Sequence, residues 1–449
     1  AKWLFLAIIF FGISLAMGVF VFVIAKLFGL YLKAPDPANG IKAVEGYPQA
    51  VLPSILLMII AASCGLLLKH KKLSFTPLMS VGFAVSLVGI WLGLWLKNQG
   101  YYGAWWPTST TWIYILLAYA FLASVLPVWS LLQPRDFLNS LLLYLGLGMT
   151  YLGLFVSNPS FDAPPFVPEP VGAPPMLPFV FILIACGAAS GFHGLVSSGT
   201  TSKQLDTETD ARIIGYGGMI GESLLGLLAV FACTAGFASS EQWHTHYASF
   251  HAAAGLPQKL AGFIEGSTSF LVGLGLPAGI SSAVIAMVVV SFALTTLDSA
   301  TRLLRFNFEE LFGRFSLFRN RYISSLCAVC TIAFFAFFEV DGKPAALALW
   351  ALFGTTNQLL AGLTLILATL YLKHRGKPTL YTGLPAIFML TSTGISMTTN
   401  LIRFLTGEHP NYLLGGVGIV LLILGAWLVV ESIVVLLKPK QETQLEITF

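Results

Sequence analysis

A charged or hydrogen-bonding group inside an apolar run has no water to satisfy it, so its presence there marks a site or a partner. This chain places few such groups. Glu222 follows G-Y-G-G-M-I-G (215–221), and Asp298 lies in L-T-T-L-D-S-A-T-R-L-L-R (294–305). Asp136 follows Pro134-Arg135, and Glu431 falls late in the last apolar run. Asp298 has Arg302 at i+4, the favourable orientation for a helical ion pair. That leaves Asp298 either as half of a structural pair or as an ion-coupling group. Arg135-Asp136 reads as a helix-start acid beside an interfacial anchor. Glu222 has no local partner, so it is a proton carrier or pairs with a charge on another helix. Glu431 snorkels or pairs.

The densest polar stretch is I-A-C-G-A-A-S-G-F-H-G-L-V-S-S-G-T-T-S-K-Q-L (184–205). Gly187, Gly191, Gly194 and Gly199 each lower helix propensity by about 1 kcal/mol relative to Ala. Irregular backbone at membrane depth is tolerated only when buried in protein or lining a wet cavity. The hydroxyls of Ser197, Ser198, Thr200 and Thr201, with carbonyls freed by a break, suit a desolvated hard cation such as sodium. They equally accept bonds from a peptide, or serve a carboxylate solute. Interrupted helices of this kind point to transporter sites, although glycine spacing by itself also serves close helix packing. The expected solute contacts are Gly187, Ser190, Gly191 and His193. His193 is either a packing residue or a proton relay. Two further interruptions stand elsewhere. Pro127 breaks A-F-L-A-S-V-L-P-V-W-S-L-L-Q-P-R-D (120–136), and Asn357 and Gln358 lie in W-A-L-F-G-T-T-N-Q-L-L-A-G (350–362). Both join the expected solute contacts.

Other chemistry finds little support. No phosphate-binding loop, Ser-His-Asp arrangement or CxxCH appears, so an ATPase, hydrolase or haem protein is not indicated and no enzyme is expected. The five cysteines lie in apolar spans and read as free thiols; Cys327 and Cys330 read as packed helix residues. His244, His246 and His251 fit a metal site or ordinary loop histidines, and no metal or cofactor is expected beyond a coupling proton or sodium ion.

The elements that must position these groups are membrane helices. The 449 residues are 56% hydrophobic and 10% charged, against about 25% charged in a soluble domain. Apolar runs of about 20 residues recur. They predict an all-α polytopic membrane protein of twelve spans, near 3–28, 49–68, 76–96, 110–132, 136–156, 177–198, 213–237, 279–301, 322–338, 345–372, 380–400 and 412–437. Most of the 24 Lys and Arg residues fall on one side of this scheme, which places both ends in the cytoplasm. The small net charge of +4 sits in loops, so nucleic acid is not an expected partner. Tyr101, Tyr102, Trp105 and Trp106 predict an outer aromatic anchor. Residues 158–178 predict a proline-rich extended outer linker. In the outer segment 238–278, Pro257 to Leu276 is weakly amphipathic and is expected to dip into the membrane. Residues 303–321 predict a basic amphipathic segment on the inner membrane face. The expected organisation is a core over 1–305, a cytoplasmic segment over 306–321 and C-terminal membrane helices over 322–449. Starting at Ala1 without Met, the chain is expected to lack part of its natural N-terminus.

The 185–205 stretch, E-T-D-A-R (208–212), I-G-Y-G-G-M-I-G-E (214–222), L-P-V-W-S-L-L-Q-P-R-D-F-L-N-S (126–140), L-T-T-L-D-S-A-T-R-L-L-R and L-W-A-L-F-G-T-T-N-Q-L-L-A-G (349–362) together resemble the carbon starvation protein A family. The blocks run in family order over nearly the whole chain, from the first span to the tenth. The resemblance implies a transporter of the bacterial inner membrane, induced under carbon limitation, that imports small peptides or pyruvate. It also implies the five-plus-five inverted-repeat core of the amino acid–polyamine–organocation superfamily. Members begin with further membrane segments, including a glycine-rich broken one, which this chain does not show. With three spans preceding Ala1, the fourth span here would be the broken first helix of the second repeat. The sixth would be the repeat's third helix, whose hydroxyls help to hold a coupling cation. The resulting expectation is a proton- or sodium-coupled importer, with Ser197, Ser198, Thr200, Thr201, Glu222 and Asp298 at the ion. The solute, the bilayer and the preceding N-terminal segment are its partners. A membrane nutrient sensor with a transporter-like fold is the alternative, and a channel a third.

Overall fold

The computed structural model describes residues 2–33, 44–71, 73–167, 173, 176–249, 256–340, 343–344, 346–407 and 410–437. Lys42, Lys72, His251, Lys438 and Lys440 lie outside the described residues. Helix α1 (Lys2–Phe28) is apolar all round, and a helix of that kind must be covered on every side. Accordingly Ile8, Ile13, Leu15, Ile24 and Leu27 are buried. Helices α4 (Ser109–Val125), α11 (Ala278–Phe312), α12 (Arg321–Phe337) and α13 (Ala346–His374) surround it. Helices α2 (Val51–Lys71), α3 (Phe75–Asn98) and α5 (Leu132–Ser157) form a second packed layer against α11.

The remaining helices are α6 (Met176–Ala188), α7 (Gly191–Gly199), α8 (Asp210–Ala235), α9 (Ser240–His246), α10 (Leu256–Gly273), α14 (Leu380–Thr406) and α15 (Tyr412–Leu437). The strands are confined to two short antiparallel pairs, Tyr31–Lys33 with Val44–Glu45 and Glu339–Val340 with Lys343–Pro344. Among the described residues eight helices are long and apolar enough to cross a bilayer, namely α1, α2, α3, α5, α8, α11, α13 and α15. The chain is therefore a multi-pass, all-α membrane protein. A helix or helix pair stands at each of the twelve expected segments.

Three boundaries differ from the sequence expectation. The fourth span stops at Val125, seven residues early, because Pro127 has no N–H to continue the ladder. The sixth is two helices, with Ser190 extended between them. Residues 303–312 are not a separate surface helix: α11 runs unbroken to Phe312. Leu303, Leu304, Arg305, Asn307 and Phe308 are buried there, and Phe308 packs on Phe10 and Phe312. The apolar face expected to meet lipid meets protein instead. In the proline-rich linker, the amides of Asp162 and Ala163 both donate to the carbonyl of Thr234, which ties that segment to the end of α8.

Candidate functional site

The most deeply enclosed charges lie where α4, α5 and α11 meet. Asp298 is 0% exposed and Arg135 1% exposed. Arg135 forms an ion pair with Asp298 through the carboxylate oxygen Oδ2. The same oxygen accepts the Tyr119 hydroxyl at 2.5 Å. Arg135 also donates to the Tyr119 oxygen at 3.0 Å and to Asp136 Oδ1 at 3.0 Å. Beside them, Asn139 donates to the carbonyl of Ser291 at 3.4 Å. A small cavity lined by Ser54, Met58, Arg135, Asn139, Met287 and Ser291 adjoins the pair. Buried charges are retained where they are paired and hydrogen-bonded; here one residue from each of three helices meets at Asp298 Oδ2, while Asp298 Oδ1 and Arg135 Nε are buried without a hydrogen-bond partner among the described residues.

Arg302 is not the partner of Asp298. Its guanidinium donates to the carbonyls of Ala123 at 2.8 Å and Leu126 at 2.5 Å. The reason lies in α4. The carbonyl of Ala123 would take the N–H four residues on, but that residue is Pro127, which has none. A cation at a helix C-terminus also opposes the helix dipole favourably. Pro127 therefore acts on the site indirectly, by creating the acceptor that holds Arg302.

The second centre is the α6–α7 break. Asn357 of α13 covers the start of α7. Its Oδ1 accepts Ser190 Oγ at 3.1 Å and the amide of Phe192 at 2.8 Å. Gln358 donates to the carbonyl of Ile182 in α6 at 3.4 Å. The two amide side chains thus bind the two halves of the broken helix. Gly191 faces α13 so closely that a Cβ there would stand 2.3 Å from both the Asn357 carbonyl oxygen and Leu360 Cβ. Gly194 and Gly199 lie similarly against Thr364 and Leu303. These glycines serve packing, with α7 strung between α13 and α11.

On the other face of α7, His193 Nε2 lies 3.5 Å from Glu222 Oε2 of α8, with the side chains 58% and 37% exposed. The partner that local spacing withheld from Glu222 is this histidine. The hydroxyls of Ser197 and Ser198 turn back to the carbonyl of Gly194, at 3.0 and 2.9 Å. Both donate within their own helix and converge on no carboxylate. Thr200 ends α7 and Thr201 opens the short turn Thr201–Lys203. Gly187 lies in the last turn of α6.

The structure therefore joins Ser190, Gly191, Asn357 and Gln358 in one centre and His193 with Glu222 beside it. It places Asp298 in another, with Arg302 and the Pro127 turn close by. Tyr119 was not foreseen, nor was Arg135 as the partner of Asp298. The only sequence signal for either was a polar group within an apolar run. Glu431 pairs with Trp427 Nε1 at 3.1 Å on α15. In the outer segment, His246 is half-buried between Phe237 and Tyr247, and burial lowers its pKa.

The family model described as carbon starvation protein CstA matches residues 1–261 and 240–396. The chain is 29% identical over 443 residues to the peptide transporter CstA of Helicobacter pylori, covering 85% of this chain and 64% of that protein. It is 32% identical to the peptide transporter CstA of Bacillus subtilis, covering 87% and 71%. It is 30% identical to the pyruvate/proton symporter BtsT of Escherichia coli, covering 79% and 60%. The chain thus spans somewhat less than two thirds of the Helicobacter relative. Among solved structures, a mutant of the Eremococcus coleocola manganese transporter superposes with a TM-score of 0.43 and 14% identity, covering 97% of this chain and 88% of the other.

Proposed function

Because the chain belongs to the carbon starvation protein CstA family, we propose that it serves secondary active import of small peptides or pyruvate, driven by a proton gradient. The observation that carries the reading is the His193–Glu222 pair, which joins a broken helix to its neighbour. A carboxylate and an imidazole in contact share a proton, and moving that proton changes the attraction between α7 and α8. The BtsT relative is named a proton symporter, which agrees with proton rather than sodium coupling. In this reading Ser190, Gly191, His193, Asn357 and Gln358 frame the solute region, and Gly187 and Pro127 shape it through the backbone. Asp298 acts as a lock with Arg135 and Tyr119. Ser197, Ser198, Thr200 and Thr201 are the cation ligands if sodium is used instead. The twelve-span, five-plus-five core and the bacterial inner membrane, with the C-terminus inside, belong to the same proposal.

The test is uptake by the natural full-length protein in proteoliposomes under imposed proton or sodium gradients. A proton gradient alone should drive accumulation. Glu222→Gln should abolish that accumulation while sparing solute exchange. Accumulation that requires sodium would remove the proton reading, and no accumulation of any peptide or pyruvate would remove transport altogether.

A further inference from the structure

At the outer end of the bundle, the ends of α8 and α10 meet the start of α11 around a cavity of about 360 Å³. Its polar walls are Tyr47, Gln242, Glu265, Thr268, Ser269 and Ser282, and among the described residues no Lys, Arg or His lines it. Ser282 precedes Asp298 by sixteen residues on α11, about 24 Å along the helix, and Gly236 follows Glu222 by fourteen residues at the end of α8, about 21 Å, so this cavity is separate from both centres described above.

The walls are held firmly. A Cβ on Gly236 would stand 2.5 Å from Gly266 Cα, and one on Gly266 would stand 2.0 Å from the Ala232 carbonyl oxygen. This contact fixes the α10 backbone at Gly266, next to Glu265, whose side chain is exposed. Trp243 ties α9 to the same corner by donating to the carbonyl of Cys233 at 3.0 Å. Burial and the nearby charges of Glu265 and Glu45 push the Tyr47 hydroxyl up, so it stays protonated.

The groups facing the space are one carboxylate, Glu265, the amide of Gln242 and hydroxyls that can donate as well as accept. Ser269 donates to the Gly266 carbonyl at 2.8 Å, which leaves its oxygen lone pairs. Thr268 Oγ1 is buried without a partner. No salt bridge reaches Glu265 among the described residues. An ammonium group offers three donors and no acceptor, which matches one carboxylate with two hydroxyl oxygens. The volume lies in the range of organic-ligand pockets, about 300–1,000 Å³, and far exceeds what a bare metal ion fills.

We propose that this cavity receives the free amino terminus of a short peptide, with the ammonium seated on Glu265 and the hydroxyl oxygens of Thr268 and Ser269. The inference rests on the transport reading above and narrows it, since a peptide has this group and pyruvate does not.

The experiment is calorimetric binding of trialanine, N-acetyl-trialanine and pyruvate to the natural full-length protein in micelles. Trialanine should bind, and acetylation should weaken it by roughly ten- to a hundredfold, the scale of a lost charge-assisted hydrogen bond. Glu265→Gln should produce a similar loss, and Ser269→Ala a smaller one. Equal binding of the acetylated peptide overturns the proposal on the unaltered protein, whatever the variants do. Parental affinity in a monodisperse Glu265→Gln protein overturns it as well. Proton-driven pyruvate uptake without trialanine binding removes the amine site and leaves transport standing. Glu265-dependent trialanine binding without gradient-driven uptake keeps the site and removes the transport reading.

Discussion

Replacing Asp298 with Asn removes the charge that Arg135 and Tyr119 share. Arg135 is 1% exposed and cannot recover water, and its remaining carboxylate partner is Asp136, whose side chain is 49% exposed. Two donors lose an ionised acceptor, at about 1–3 kcal/mol for each group left poorly satisfied in a buried setting. Removing one member of a buried ion pair costs about 3–5 kcal/mol, so the two routes agree. Arg135→Met should cost as much, because it leaves Asp298 buried with Tyr119 as its donor. The Arg135→Met/Asp298→Asn double variant, which removes both charges, should cost less than the sum of the single changes by roughly 2–3 kcal/mol. Equilibrium unfolding in mixed micelles measures all three. Strict additivity, or an Asp298→Asn protein as stable as its parent, would refute the account of this pair as one interdependent unit.

Four further outcomes follow from the packing and from the segment that carries His246. Gly191→Leu should destabilise by about 1–3 kcal/mol through overpacking against Asn357 and Leu360. Gly217→Ala on α8, where a Cβ meets nothing within 4 Å, should be neutral or stabilising by about 0.5–1 kcal/mol; the same unfolding assay compares them. Asn357→Ala should cost about 1–2 kcal/mol by uncapping α7, and Asn357→Asp, which keeps the acceptor oxygen, should recover most of it. His246 has its pKa lowered from 6.5 by burial, so protonation favours the opened state. Its contribution is complete above pH 6.5 and is lost as the pH falls from there through the folded-state value. The protection factors of amides 236–247, which divide out the slower intrinsic exchange at low pH, should therefore fall on acidification, and His246→Phe should flatten that dependence.

Much of the molecule was legible in the sequence because it depends on local properties. Apolar length and low charge dictate membrane helices, and each expected segment is helical, with eight helices among the described residues long and apolar enough to cross a bilayer. Glycine and serine clustering at 187–191 announced a break, and Ser190 is extended there. The polar run at 355–358 announced buried side chains, and Asn357 and Gln358 bind the broken helix. What remained hidden was which partner each polar group takes. Spacing along one helix offered Arg302 to Asp298, but that arginine is drawn to carbonyls exposed by Pro127 on α4. The carboxylate then pairs with Arg135 and Tyr119 from two other helices. Glu222 likewise gained His193 only because α7 and α8 lie side by side. Sequence spacing encodes the face of a helix on which a charge sits. Which face of which neighbour it meets is decided by how the helices cross, and that is a property of the packed bundle alone.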